Sequence, residues 1–524
     1  MKMTVGNVTV FTLIMMLFVG SFSAQAQMRE VIIENTGMLE CIQDAIMADL
    51  AANGEDAVNN TKYILRRGET YVHSTQYQPS HKVWLEAEPG DGPLPRILGV
   101  NTGGEAPRMV RSTNDMTFIG LNYSGLDSDG NHTDNAPCRQ RGDGTTMTAK
   151  NCLFPNHRLE IFRVDGSNQK WYVENNVVTQ NFQMDLWDKG YTFSFHDDKI
   201  DTFVIKNNTF YNSTASLMHS DLTAGATYVE FSQNTVHNIG GTMQNYQYQG
   251  AYEAALVNFG VAQNVVCKDN LIIDCMTFGY PPQWADSIYV INVNLTDSTG
   301  TIDVSNNNIF RDPAFEAANP DTLEMITNFD PELESIIGDG SGFGFISEAV
   351  TFNDVPDAAP MLDAIGSYFS APDAVFDPNA IALDETPPIT DVDYGYTATL
   401  SPTASSTSGP LGAARWYDGV TVGVEDNKPT VAGSFKLHGN YPNPFNPSTT
   451  IRFDLQDQAT VQVKVMNTLG QVVYESPEKA MTSGLNKEIN LDASEWTSGM
   501  YIYQVIAQES QTQRVATGRM LLLK

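Results

Sequence analysis

The chain has little cysteine and few cations, and each shortage narrows what it can be. Five cysteines, Cys41, Cys138, Cys152, Cys267 and Cys275, are too few and too odd in number to staple 524 residues as a disulfide scaffold. At most two bridges could form, and whether Cys138 joins Cys152, or Cys267 joins Cys275, stays open. Thirty Lys and Arg stand against 62 Asp and Glu, a formal charge of -32. From Asp312 to Ala414 there is no Lys or Arg at all, against eighteen acidic residues. Such a field repels nucleic acid and anionic membranes, which excludes both as partners. It suits either solubility in a salty medium or the binding of divalent cations. Beyond the first 26 residues no stretch reaches the roughly 18 uncharged apolar residues that a membrane helix needs, so no transmembrane segment is expected in the mature protein.

What the chain does have is 41% hydrophobic residues, enough for a large core and for two folded units. Lys2 precedes an apolar run from Val8 to Val19, and Ala24-Gln25-Ala26 supplies a small-x-small cleavage site. Residues 1-26 therefore read as a signal peptide. Further on, six segments alternate apolar residues up to an Asn and then turn apolar again, with key residues Asn151, Asn176, Asn208, Asn234, Asn270 and Asn308. The intervals are 25, 32, 26, 36 and 38 residues, the unequal period of a solenoid whose coils carry loops of different length. Strand, Asn turn, strand predicts an all-β, right-handed parallel β-helix, the Asn accepting a left-handed bend and stacking between coils.

Met116 to Tyr123 and Lys82 to Ala87 read as earlier coils. Apolar residues at Met38, Leu39, Ile42, Ala45, Ile46, Met47 and Leu50 predict an amphipathic helix over 38-50. A terminal helix is the expected cap for a solenoid end, which otherwise exposes strand edges and core side chains. Tyr63 to Tyr71 resembles the opening turn of pectate-lyase-like β-helices, and Arg311 to Phe315 and Leu411 to Trp416 resemble their closing segments. The β-helix is accordingly placed at 27-419, with an acidic C-terminal cap over 311-419 folded on its last turns. Residues 420-433 follow as linker.

Residues 434-524 are neutral, with eight basic and eight acidic side chains from Phe435 onward, and alternate as a small immunoglobulin-like β-sandwich would. Asn440-Tyr-Pro-Asn-Pro-Phe-Asn-Pro447, Leu469-Gly470, Gly499-Met-Tyr501 and the final Lys524 resemble the type A C-terminal sorting domain of the type IX secretion system. On that resemblance Asn440, Pro442, Asn443, Pro444, Gly470, Gly499 and Lys524 carry the sorting signal. The implied partner is the type IX machinery, and the implied location is the medium or outer surface of a Gram-negative bacterium.

The chemistry of the body is less sharply written. Secreted β-helices of this kind mostly engage acidic polysaccharides. Leu159 to Asn176 resembles the strand of the chondroitinase B and alginate lyase family that carries an essential Arg, which puts Arg163 at the catalytic position. Val164 stands where that family has His, and Gly142 where it has a catalytic Lys; Arg141 and Lys150 are the cations nearby. Elimination next to a uronate carboxylate needs a cation to neutralise it and a base for the C5 proton, so the candidate catalytic set is Arg163, Lys150 and Arg141. His196-Asp197-Asp198 and, one coil on, His219-Ser220-Asp221 could offer Asp197, Asp198 and Asp221 to calcium, or be ordinary turn chemistry. Trp171, Tyr172 and Trp187 could stack sugar rings, whereas Tyr191, Phe193 and Phe195 share one strand face and read as core. No Gly-His-Gly occurs, which argues against the polygalacturonate hydrolases of this fold. Two classes remain open: a polysaccharide lyase, and a glycan-binding or adhesive surface protein without catalysis.

Overall fold

A computed structural model describes residues 28-90, 92-100, 110-127, 132, 137-158, 160-181, 191-195, 199-214, 216-220, 225-240, 254-276, 288-295, 300-314, 326-356, 392-417, 436-441, 445-455, 458-467, 472-481, 484-494, 496-497, 499-508, 513-522 and 524. The expected signal peptide and linker lie outside these residues. The chain forms two compact units, Met1–Val420 and Thr421–Lys524.

The first unit is a parallel β-helix. Among the described residues, twelve strands stack in one sheet from Arg29–Ile33 to Ile326–Phe329, nine in a second from Thr70–His73 to Asn308–Phe310, and five in a third from Val110–Ser112 to Met218–Ser220. Every pairing within these sheets is parallel and joins one coil to the next, as in Met147↔Trp171 and Trp171↔Phe203. Alternation sends Met147 and Ala149 inward while Thr148 and Lys150 face out. Rings fill the interior: Phe162 stacks on Phe193 at 5.1 Å, and Phe193 meets Phe203 edge-on at 5.4 Å.

The corner between the first and second sheets divides its work between two adjacent residues. Asn151, Asn175, Asn207, Gln233, Asp269 and Asn306 take the left-handed bend, with φ between 52° and 60°. The residue after each bend points inward and forms the ladder. Cys152 N donates to Asn176 Oδ1, Asn176 N to Asn208, Asn208 N to Asn234, Asn234 N to Asn270 and Asn270 N to Asn307, all at 2.9 to 3.0 Å. Each Nδ2 also donates to a strand carbonyl of the preceding coil, as Asn208 does to Val173 O at 2.8 Å. The expected register thus holds for 176, 208, 234 and 270 and is one residue off at both ends. Asn151 is a bend residue whose ladder position belongs to Cys152, and Asn307 rather than Asn308 closes the row. The physical reason is that bend and ladder fall on adjacent residues, and only the second of the two faces the core.

At the N-terminal end a helix runs over Cys41–Asn53, three residues later than the apolar spacing predicts. Cys41 and Ile46 are buried on it, whereas Met38, Leu39 and Met47 are exposed. Buried Asp49 holds the helix to the first coils, accepting from Tyr63 Oη at 2.7 Å and pairing with Arg29 at 2.9 Å.

The acidic region behaves differently from the expected cap on the last turns. Helix Pro331–Ile337 does sit at that end, burying Leu333 and Ile337. The antiparallel pair Thr351–Asp354 and Asp393–Thr397, however, runs along the flank of the second sheet, where Val392 and Tyr394 cover Leu153, Val177 and Tyr211. Leu411 covers Leu271 and Ile273 further along. The outer face of the second sheet is apolar and needs this cover over several coils. Glu348 fixes the cover's far end by accepting from Thr399 N, Leu400 N, Ser401 N and Ser401 Oγ.

The five cysteines are all buried free thiols, so neither pairing forms. The ladders of the second unit are antiparallel, with Lys436–Tyr441, Ser448–Leu455 and Gly484–Asp492 in one sheet and Val472–Glu475, Ala459–Asn467, Lys479–Met481, Gly499–Gln508 and Gln513–Leu522 in the other, and an isolated parallel bridge joins Phe445 to Leu522. Phe453, Val463 and Tyr503 share one core between them, as a sandwich requires.

Replacing Asn208 by Ala strands several buried groups on both neighbouring coils and is expected to destabilise the body by about 3 kcal/mol or more. Cys152→Asn, which extends the row, is expected to stabilise it by about 1 kcal/mol; denaturant midpoints of the two variants check the pair. Burial pushes the Glu348 carboxyl up, but the N–H and hydroxyl donors more than reverse this and leave it below its ordinary value. Its contribution is therefore full above the unfolded carboxylate pKa, about 4.3, and is lost as pH falls through the lower folded value. Protection factors at Thr399 to Ser401, taken relative to the intrinsic exchange rate at each pH, are expected to fall on acidification before those of the ladder, and in Glu348→Gln already at neutral pH.

Candidate functional site

The third sheet presents a row of like residues on its outer face. Its strands have the pattern inward, outward, inward: Cys138 and Gln140 flank Arg139, and Phe162 and Val164 flank Arg163, all four flanking residues being buried. Register then stacks Arg111, Arg139 and Arg163 on successive strands, with Ser194 and His219 on the two beyond. Neighbouring strands are about 4.8 Å apart, so the guanidinium stems repeat at that interval.

Carboxylates are built into the row. Asp165 bonds Arg163 Nε at 2.9 Å and also takes Arg139 Nε. Glu160, fully buried, accepts from Arg163 Nη1 at 3.0 Å. Only 15% of the Arg163 side chain reaches solvent. Burial works to lower its pKa, and Asp165 and Glu160 outweigh that, so it lies above the ordinary arginine value. Arg163 is thus a fixed cation that can neutralise charge and cannot take a proton.

The other expected catalytic residues stand apart from it. Lys150 lies on the first sheet and pairs with Glu174 at 2.9 Å. Arg141 follows the Arg139 strand and is exposed at the corner, its N–H bonded to Ser112 O. Gly142 admits no side chain, because a Cβ there would come 2.1 Å from Thr113 O. The partner of Arg163 is Arg139, which sequence reasoning passed over. The signal was present in the aligned triplets Val110-Arg-Ser112, Cys138-Arg-Gln140 and Phe162-Arg-Val164.

Among the aromatic candidates, Trp171 is fully buried and donates Nε1 to Gln169 Oε1 at 2.9 Å, a core residue that no sugar can reach. Tyr172 lies on the outer face of the first sheet between Thr148 and Val204, away from the arginine row. Trp187, Asp197, Asp198 and Asp221 lie outside the described residues. Within the described residues no group of three or more His, Cys, Asp or Glu side chains could hold a metal ion. Trp171→Ala is expected to lower stability by about 3 to 5 kcal/mol through the cavity it opens, while leaving glycan binding by the folded fraction unchanged. Thermal melts beside binding isotherms check both halves.

In the second unit Asn440 Nδ2 donates to Thr449 Oγ1 at 2.9 Å, Gly499 opens the strand paired with Gln513–Leu522, and Lys524 Nζ donates to the carbonyls of Ser494 and Trp496. Pro442, Asn443, Pro444 and Gly470 are outside the described residues. Residues 440–516 match the secretion system C-terminal sorting domain family. The chain is also similar to the solved structure of PorZ, described as an essential bacterial surface component of the type-IX secretion system of human oral-microbiomic Porphyromonas gingivalis. The identity is 16%, with a TM-score of 0.13, over 25% of this chain and 15% of that one. No curated protein matches the chain. No helix among the described residues is long and apolar enough to cross a membrane. The C-terminal unit is therefore a type IX sorting domain, and the protein that carries it is delivered to the cell surface or the extracellular space.

Proposed function

We propose that the exported body binds an acidic extracellular polysaccharide along the third sheet, and does so without cleaving it. The row of Arg111, Arg139 and Arg163 is the observation that carries this reading. A body of strongly negative charge can hold a polyanion only where cations are concentrated, and arginine takes carboxylates and sulfates through paired N–H bonds. Binding is favoured over elimination because Arg163 stays protonated, Lys150 faces another side of the solenoid, and Gly142 leaves no room for a lysine. The residues expected to hold calcium, Asp197, Asp198 and Asp221, lie outside the described residues, so no step is assigned to it. Export through an N-terminal leader over residues 1-26 and the sorting domain suits a protein that meets its glycan outside the cell.

Removing the arginines alone would take away the counter-ions that Glu160 and Asp165 now meet and unsettle the fold. The informative variant combines Arg139→Gln, Arg163→Gln, Glu160→Gln and Asp165→Asn. It is expected to stay folded by circular dichroism and to bind alginate or polygalacturonate at least about tenfold more weakly, the loss of charge-assisted bonds. The wild-type affinity is expected to fall with added salt and to ignore a chelator. Unchanged binding by the folded variant would remove the row from function. Ultraviolet absorbance from an unsaturated uronate product would replace binding with the lyase reading.

A further inference from the structure

The closing turn of the body holds a cation that the arginine row does not explain. Arg415 lies in the turn Ala414–Trp416, docked on the second sheet by Trp416 Nε1 to Thr209 Oγ1 at 2.7 Å and Ala413 N to Thr235 Oγ1 at 2.9 Å. It is the first Lys or Arg after Arg311, beyond a stretch with eighteen acidic residues. Arg29, Arg66, Arg139 and Arg163 all pair with carboxylates. Arg415 pairs with none among the described residues. Its neighbour is the Trp416 ring, 5.7 Å from the guanidinium carbon.

The surroundings make this arrangement costly. Arg415 lies deep in the mass of the body, and its Nε is closed to solvent and finds no acceptor. The residue as a whole keeps partial solvent contact. Burial without a counter-ion pulls its pKa down to about 10. A buried charge lacking a partner is destabilising, and the indole recovers only part of the loss.

We propose that Arg415, supported by Trp416, is the anchor of a second anion site, taking the carboxylate or sulfate group of a small acidic ligand on the covered flank of the second sheet. A guanidinium presents paired N–H donors that match two oxygens of either group. The site lies on a different sheet from the arginine row and does not rest on it.

The test is thermal unfolding of the full chain in galacturonate, a sugar sulfate or inorganic sulfate, each against chloride at equal ionic strength. At least one anion is expected to raise the body's transition saturably, as a ligand of the folded state does. Which of the three acts distinguishes a uronate, a sulfated sugar and free sulfate as the source. Arg415→Met is expected to melt at or above the wild type without ligand, because an uncompensated charge is gone, and to bind at least about tenfold more weakly. Arg415→Lys, which keeps the charge but loses the fork, is expected to fall between. The shift is expected to persist when the third-sheet row is neutralised, separating this site from that one. An anion response no larger than chloride's, or an equal response in Arg415→Met, would overturn the proposal. Should Arg415→Met not fold, an undiminished response in Arg415→Lys would overturn it.

Discussion

From Cys152 to Asn307 each coil of the body is fastened to the next at the same corner, by the side-chain amide that follows the left-handed bend of the later coil. Asn176, Asn208, Asn234, Asn270 and Asn307 each satisfy a main-chain N–H of the coil before and lend an Nδ2 to a carbonyl further back. Buried amides that are fully satisfied fix a register that apolar packing alone would leave loose. The loops between coils can then vary in length without disturbing it. All else on the solenoid surface inherits that register. Arginines fall in line on the third sheet, lysines and carboxylates pair on the first, and an apolar flank on the second collects the returning chain.

Much of this was legible in the sequence, because Asn turns mark the coils from Asn151 onward. The inward residue was legible at Asn176, Asn208, Asn234 and Asn270, and not in the run Asn306-Asn307-Asn308, whose members have the same chemistry and differ only in backbone setting. The same difficulty hides at the first rung, where Cys152 fills the ladder position and its thiol bonds Lys150 O at 3.3 Å and Leu121 N at 3.5 Å. The helix was legible in type and displaced in extent. Leu39 pairs with Val72 as an isolated bridge instead of joining the helix.

The candidate site was less legible, and for a reason that applies to solenoids generally. Three-residue strands are too short to announce themselves by alternation, so the stacking of Arg139 on Arg163 emerges only once coils are aligned. Arg163 was found through its likeness to a lyase strand, yet its neighbours answer to a different logic: Glu160 and Asp165 hold it, and Gly142 excludes the expected lysine. Trp171 looked like a sugar platform because an aromatic face can stack a sugar ring, yet its indole also has a polar edge. Gln169 meets that edge inside the core. The sorting domain was plain because its signal is a local motif, needing no long-range pairing to be recognised.

Hydrogen exchange at the main-chain amides of Cys152, Asn176, Asn208, Asn234 and Asn270 tests the shared corner most directly, since each is bonded to the amide oxygen of the next coil. If the ladder holds the solenoid together, these five amides exchange slowly and as one set, with the same dependence on denaturant. Rapid, independent exchange at loop-like rates would contradict it.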